Sequence, residues 1–219
     1  MGITGNVVME KEKIKNISYI SGLNFRVAKQ IKGCSKSVWQ EVLDLNHATV
    51  YNTLIVSAPG AGKTTLLRDL LRCISDGIPE ITFRGLPVGI VDERGEIAAM
   101  YQGEPQNDVG IRTDVLDGVP KAMGLQMLVR SMAPKIVSTD EIGSKEDTEA
   151  IHYAVCSGVK GIFTAHGSCM EDLLLNPNLK ELIQSFVFDK ILFLKENGEK
   201  GKIKFGYRLE KQKEKYLRI

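Results

Sequence analysis

Thr53-Leu54-Ile55-Val56-Ser57-Ala58-Pro59-Gly60-Ala61-Gly62-Lys63-Thr64-Thr65 decides how the rest of the chain is read. A short β-prone run, Thr53 to Val56, ends in a turn of small residues, and Leu66, Leu67, Leu70 and Leu71 follow at helical spacing. The order is strand, loop, helix. From Ser57 to Thr64 the residues match G-x-x-x-x-G-K-[ST] except at the first position, where Ser57 stands for glycine. Small residues let backbone N–H groups wrap a phosphate at a helix N-terminus, where unpaired donors and the macrodipole favour an anion. Lys63 would reach the β and γ phosphates, and the Thr64 hydroxyl would hold Mg²⁺. Pro59, Gly60, Ala61, Gly62 and Thr65 complete the candidate binding set. A dinucleotide fingerprint is excluded, because Gly60-Ala61-Gly62 lacks the third glycine and Lys63 intervenes. The expected ligand is a nucleoside triphosphate.

Outward from this loop, strand-like runs alternate with helical patterns. Val88 to Val91 leads into Asp92 and Glu93, and Ala122 to Met132 has helical periodicity until Pro134 stops it. Lys135 to Ser138 reads as a strand ending at Asp140-Glu141. Ser144 with Asp147 forms a capping-box pattern for a helix running to Gly158. Gly161 to Ala165 is the next strand, and a short helix follows Pro177. Lys190 to Leu194 and Lys202 to Leu209 are strand-like and are joined through Glu196-Asn197-Gly198, a hairpin signal. This order predicts an α/β fold: a mostly parallel sheet flanked by helices, with a C-terminal β-hairpin. In the first fifty residues, Asn6 to Ile14 reads as a strand, and Phe25 to Ile31 and Ser37 to Leu45 read as helical. Residues 1–50 are read as the tail of an N-terminal domain, and 51–219 as the nucleotide domain.

Binding is not hydrolysis, and the acids suggest where hydrolysis would occur. Ile136 to Glu141 is a strand delivering two acids at its C-terminal end, where ligands of open α/β sheets collect. Asp140 would hold Mg²⁺, and Glu141 could orient or deprotonate the attacking water. A second cluster, Asp92-Glu93-Arg94-Gly95-Glu96, also closes a strand, with a charged surface loop as the bland alternative. Thr164-Ala165-His166-Gly167 places His166 at the same sheet edge, where it could sense the γ phosphate.

Composition excludes other classes. The 219 residues are 43% apolar and 26% charged, with a formal net charge of +2, an ordinary globular balance. The most apolar stretch, Ser185 to Leu194, is broken by Asp189 and Lys190 and is too short to span a bilayer. Glu10, Lys11, Glu12 and Lys13 stand where a signal peptide would be apolar. Four cysteines without a C-x-x-C pair suggest neither zinc nor a redox dithiol. A cytoplasmic protein is expected.

VDERGEIAA (Val91 to Ala99), SMAPKIVSTDEIG (Ser131 to Gly143) and FTAHG (Phe163 to Gly167) resemble the stage III sporulation AA family of endospore formers. The order of phosphate loop, acidic box, acidic strand and histidine box is similar to the secretion-ATPase branch of RecA-like P-loop proteins. The resemblance implies a hexameric ATPase using ATP and Mg²⁺. It would lie peripheral to a membrane, on the mother-cell face of the forespore, and serve membrane-bound channel proteins of a sporulation complex. It also implies that Glu96, with Glu93 close by, polarises water while Glu141 serves the metal. Asp140 departs from the glycine of pilus motors, so the division of labour between Glu96 and Glu141 stays open. Arg112 and Arg130 are candidates for completing a neighbouring subunit's site. Two other functions compete. Nine Lys and Arg against four Asp and Glu in Lys195 to Ile219 would suit a nucleic-acid-dependent ATPase, although no stable nucleic-acid partner is expected. A nucleotide-gated scaffold with negligible turnover is the third.

Overall fold

The computed structural model describes residues 2–25, 30–196, 201–210 and 215–219. The chain opens with β1 (Gly2–Glu10) and β2 (Lys13–Asn24), an antiparallel hairpin. The single strand expected over Asn6 to Ile14 is therefore two strands. They turn at Lys11 and Glu12, with φ 47° and 65°, the positive angles of a two-residue hairpin loop. Neither residue is the glycine or asparagine that announces such a turn, so the pattern carried no signal. The helix expected over Phe25 to Ile31 falls largely on residues 26–29, outside the described residues.

A 3₁₀ turn at Cys34–Val38 runs into the single-turn helix α1 (Trp39–Val42). The expected longer helix ends there because the next residues pair as β3 (Leu43–Asp44) with β4 (Thr49–Val50). The segment is anchored to the following helix. Gly33 N–H, Ser35 N–H and Ser35 Oγ all donate to the Asp69 carboxylate at 2.7–3.0 Å.

The main body follows as β5 (Thr53–Ser57), α2 (Lys63–Asp76), the short pair β6 (Gly77–Ile78) and β7 (Phe83–Arg84), and β8 (Val88–Asp92). A small ribbon, β9 (Met100–Tyr101) with β10 (Glu104–Pro105), precedes β11 (Thr113–Asp117). Then come α3 (Lys121–Ser131), β12 (Ile136–Thr139), α4 (Lys145–Cys156) and β13 (Lys160–His166). The chain closes with α5 (Met170–Leu175), α6 (Pro177–Gln184), β14 (Lys190–Leu194), β15 (Ile203–Glu210) and β16 (Lys215–Arg218).

Eight strands form one sheet in the order β11-β8-β12-β13-β5-β14-β15-β16. From β11 to β14 every neighbour pairs in parallel, and only β14-β15 and β15-β16 are antiparallel. The turn between β14 and β15 includes residues 197–200, outside the described residues. β5 is buried along its whole length, as a strand covered on both faces must be. Ile55, Ile90, Ile136 and Ile162 face α2, whereas Leu54, Val91, Val137 and Phe163 face the layer of α3, α4 and α6. Parallel strands deliver their C-terminal ends to one edge of the sheet. β5, β8, β12 and β13 therefore carry the phosphate loop and all three acidic or histidine boxes to the same place.

Candidate active site

The phosphate loop leaves β5 and enters α2 at Gly62, whose φ of 94° is left-handed and suits a residue without Cβ. Gly60 is also left-handed, at φ 79°. Ser57 remains in β5, where glycine has no advantage, so its replacement of the first motif glycine is physically neutral. Lys63 folds back over the loop, donating to Ser57 O at 2.9 Å and Ala58 O at 3.4 Å. Burial pushes its ammonium below the ordinary lysine range, and the charges of Glu141 and Asp140 oppose that shift. Thr64 and Thr65 lie half-buried in the first turn of α2, and Ala61 is buried beneath the loop.

The Lys63 Nζ also lies 3.2 Å from His166 Nδ1, and His166 Nε2 lies 2.9 Å from Glu141 Oε1. An ammonium only donates, so Nδ1 accepts and the ring proton sits on Nε2, facing the carboxylate. Phosphate loop, histidine and acidic strand thus form one hydrogen-bonded chain. Arg94 Nη1 approaches the other Glu141 oxygen at 3.5 Å. Glu141 is held by its backbone as well. Its φ of 46° is uncommon for a residue with a side chain; its N–H donates to Thr164 Oγ1 at 2.8 Å, and its carbonyl accepts from Lys121 Nζ at 2.8 Å.

Asp140 is 2% exposed. Burial pushes its carboxyl up to about 6; Lys121 opposes this, and the nearby Glu96, Asp92 and Glu141 reinforce it. The acidic box therefore converges electrostatically on the acidic strand. Its loop is clamped from two sides. Asp92, fully buried, accepts from the N–H groups of Glu96, Ile97 and Ala98 at 2.7–3.1 Å. From α2, Arg68 donates to the carbonyls of Ile97 at 2.6 Å and Glu96 at 2.5 Å. Glu93 faces Lys121 at 3.8 Å. Sequence reasoning missed Arg68 and Lys121, and it quoted Thr164 in the histidine box without the role of its hydroxyl. Each acts through a contact far away in the chain, and neither Arg68 nor Lys121 belongs to a local motif.

The other sequence candidates lie elsewhere. Arg112 donates to the carbonyl of Ser75 at 2.9 Å, near the C-terminal end of α2, away from the phosphate loop at its N-terminus. Arg130 pairs with Tyr153, at 3.2 Å from its hydroxyl and 5.4 Å from its ring centroid. Among the described residues no group of three or more His, Cys, Asp or Glu side chains could hold a metal by itself. A threonine hydroxyl, as on half-buried Thr64, and one buried carboxylate, as on Asp140, are donor types that suit Mg²⁺. That ion binds through one or two carboxylates and takes its remaining oxygens from phosphates and water. All four cysteines are free, and no helix of the described residues is long and apolar enough to cross a membrane.

Comparison with known proteins places this arrangement. The model of the family described as "Sporulation stage III, protein AA" matches residues 1–214. Stage III sporulation protein AA of Bacillus subtilis is 43% identical over 196 residues, covering 89% of this chain and 62% of that protein. The uncharacterized protein ycf45 of Porphyra purpurea is 30% identical over 75% of this chain and 27% of its own length. This chain thus spans less than two thirds of either relative. Among solved structures, the VirB11 ATPase of the Brucella suis type IV secretion system superposes with a TM-score of 0.51 at 16% identity. The match covers 83% of this chain and 52% of that one, and it shows a shared RecA-like fold.

Proposed function

Because the chain belongs to the sporulation stage III protein AA family, we propose that it is a Mg²⁺-dependent ATPase. In this reading it powers or assembles a secretion-like channel complex between mother cell and forespore. It works as a hexameric ring, peripheral to the forespore membrane on its mother-cell side, bound to membrane-anchored channel proteins. Residues 1–50 are then the tail of an N-terminal unit. The exposed Ile14, Tyr19 and Phe25 support this, because a two-stranded ribbon alone buries too little to be stable.

The observation that carries the reading is the chain Lys63–His166–Glu141, which joins three strand ends at one sheet edge. A phosphate entering the loop meets backbone N–H groups and the Lys63 ammonium, both complementary to negative charge. Thr64 and Asp140 would hold the Mg²⁺, which supplies charge neutralisation on the phosphate oxygens. Water adds to the terminal phosphorus as the bond to the leaving ADP breaks. Glu141 or Glu96 orients that water and takes its proton, and His166 reports the state of the phosphate to Glu141.

The test is a set of three variants. Lys63→Ala is expected to lose nucleotide binding, whereas Glu141→Gln and Glu96→Gln are expected to keep binding and stop phosphate release. The glutamate whose loss costs more in kcat, about a hundredfold or more, is the water-activating residue. Undiminished phosphate release in all three variants would sink the ATPase reading.

A further inference from the structure

Lys121 has no place in the phosphate loop or in either acidic motif, yet its ammonium lies between the acidic strand and the acidic box. Its side chain is 10% exposed. It begins α3, one residue after Pro120, and the loop before it is pinned by the Gly118 N–H donating to Asp92 O at 3.1 Å. From that fixed base the side chain crosses to the neighbouring strand end. There it donates to the Glu141 carbonyl at 2.8 Å and faces Glu93 at 3.8 Å.

The contact to the carbonyl is the informative one. Glu141 has a left-handed backbone, a conformation that persists only where the surroundings over-determine it. Thr164 takes its N–H, and Lys121 takes its carbonyl. Together they hold the peptide that aims the Glu141 carboxylate at His166. On the other side, the same ammonium attracts Glu93 of the acidic box.

We propose that Lys121 is a positioning residue for hydrolysis: by bridging the Glu141 carbonyl and Glu93 it fixes the acidic strand and the acidic box in one mutual register. The inference rests on the ATPase reading. Its consequence is a defect in the chemical step without a defect in nucleotide binding, because misplacement of a water-orienting group by a fraction of an ångström slows turnover.

Three measurements test it on the full chain with Lys121→Met and Lys121→Arg. Lys121→Met is expected to lower kcat about tenfold or more while KM and affinity for a fluorescent ADP analogue stay within about threefold. The Glu141 amide resonance, recorded without nucleotide, is expected to move. Lys121→Arg, which keeps a donor and the charge, is expected to recover at least about half of the turnover. The proposal is overturned if Lys121→Met leaves kcat and the Glu141 resonance unchanged. It is equally overturned if affinity falls in step with kcat and arginine rescues neither. Absence of turnover in the unsubstituted protein would refute the ATPase reading alone, and the Glu141 resonance would still decide the tether.

Discussion

Asp140 illustrates, at the scale of a residue, how a site can cost stability. Its carboxyl is pushed from an ordinary 3.8 to about 6, chiefly by burial. Between about pH 4 and 6 the folded protein then binds more protons at this position than the unfolded chain, so stability falls as pH rises through that window. Once Asp140 is ionised, the cost is about 3 kcal/mol at ~1.4 kcal/mol per pH unit. Asp140→Asn removes it. Urea unfolding without nucleotide should find the variant more stable by about 1–3 kcal/mol above pH 6, with the difference vanishing below about pH 4. With Asp140 in its proposed role as a metal donor, the stabilised variant should also lose Mg²⁺-dependent turnover. The motif residues were legible because each is a local chemical type at a local spacing. Arg68 and Lys121 were not, because a lone cation has no partner until the chain folds.

At the scale of elements, the capping box at Ser144 was readable and is present: Ser144 Oγ accepts from the Asp147 N–H at 3.1 Å, and Asp147 Oδ2 accepts from the Ser144 N–H at 3.1 Å. Ser144→Ala is expected to lower stability by about 1 kcal/mol, measurable by denaturant titration. α3 is placed by an absence of side chain. A Cβ on Gly124 would lie 2.6 Å from Val91 Cγ1 and 2.9 Å from Val119 Cγ1. Gly124→Val should therefore force α3 away from β8 and cost about 1–3 kcal/mol. Because α3 carries Lys121, turnover should fall as well, in a phosphate-release assay at a temperature where the variant is still folded. β11 escaped the sequence reading for a physical reason. Thr113-Asp114-Val115-Leu116-Asp117 is an edge strand with two acids, and half of its surface needs no apolar residue.

At the scale of the molecule, the site lies at the sheet edge where the parallel strands β5, β8, β12 and β13 end. If subunits complete one another's sites, specific ATPase activity should fall on dilution; a rate strictly proportional to protein concentration would favour a self-sufficient monomer. The basic end separates the competing readings. Lys204, Arg208, Lys215 and Arg218 lie on β15 and β16, at the far side of the sheet order from the acidic box on β8. DNA or RNA is expected to leave turnover unchanged at low salt; salt-sensitive stimulation would favour the nucleic-acid-dependent alternative.

Sequence alone determined the phosphate loop, the alternation of strands and helices, and the acids and histidine that follow β-prone runs. Those features are local: small residues for close backbone approach, continuous apolar runs for strands covered on both faces, and charges where a strand leaves the core. Only the tertiary structure decided that β13 inserts between β5 and β12, which sets His166 between Lys63 and Glu141. It alone brought Arg68 and Lys121 from two helices to the acidic loops. Strand order and side-chain reach depend on how two apolar faces pack against their helices, and no short stretch of sequence holds that information.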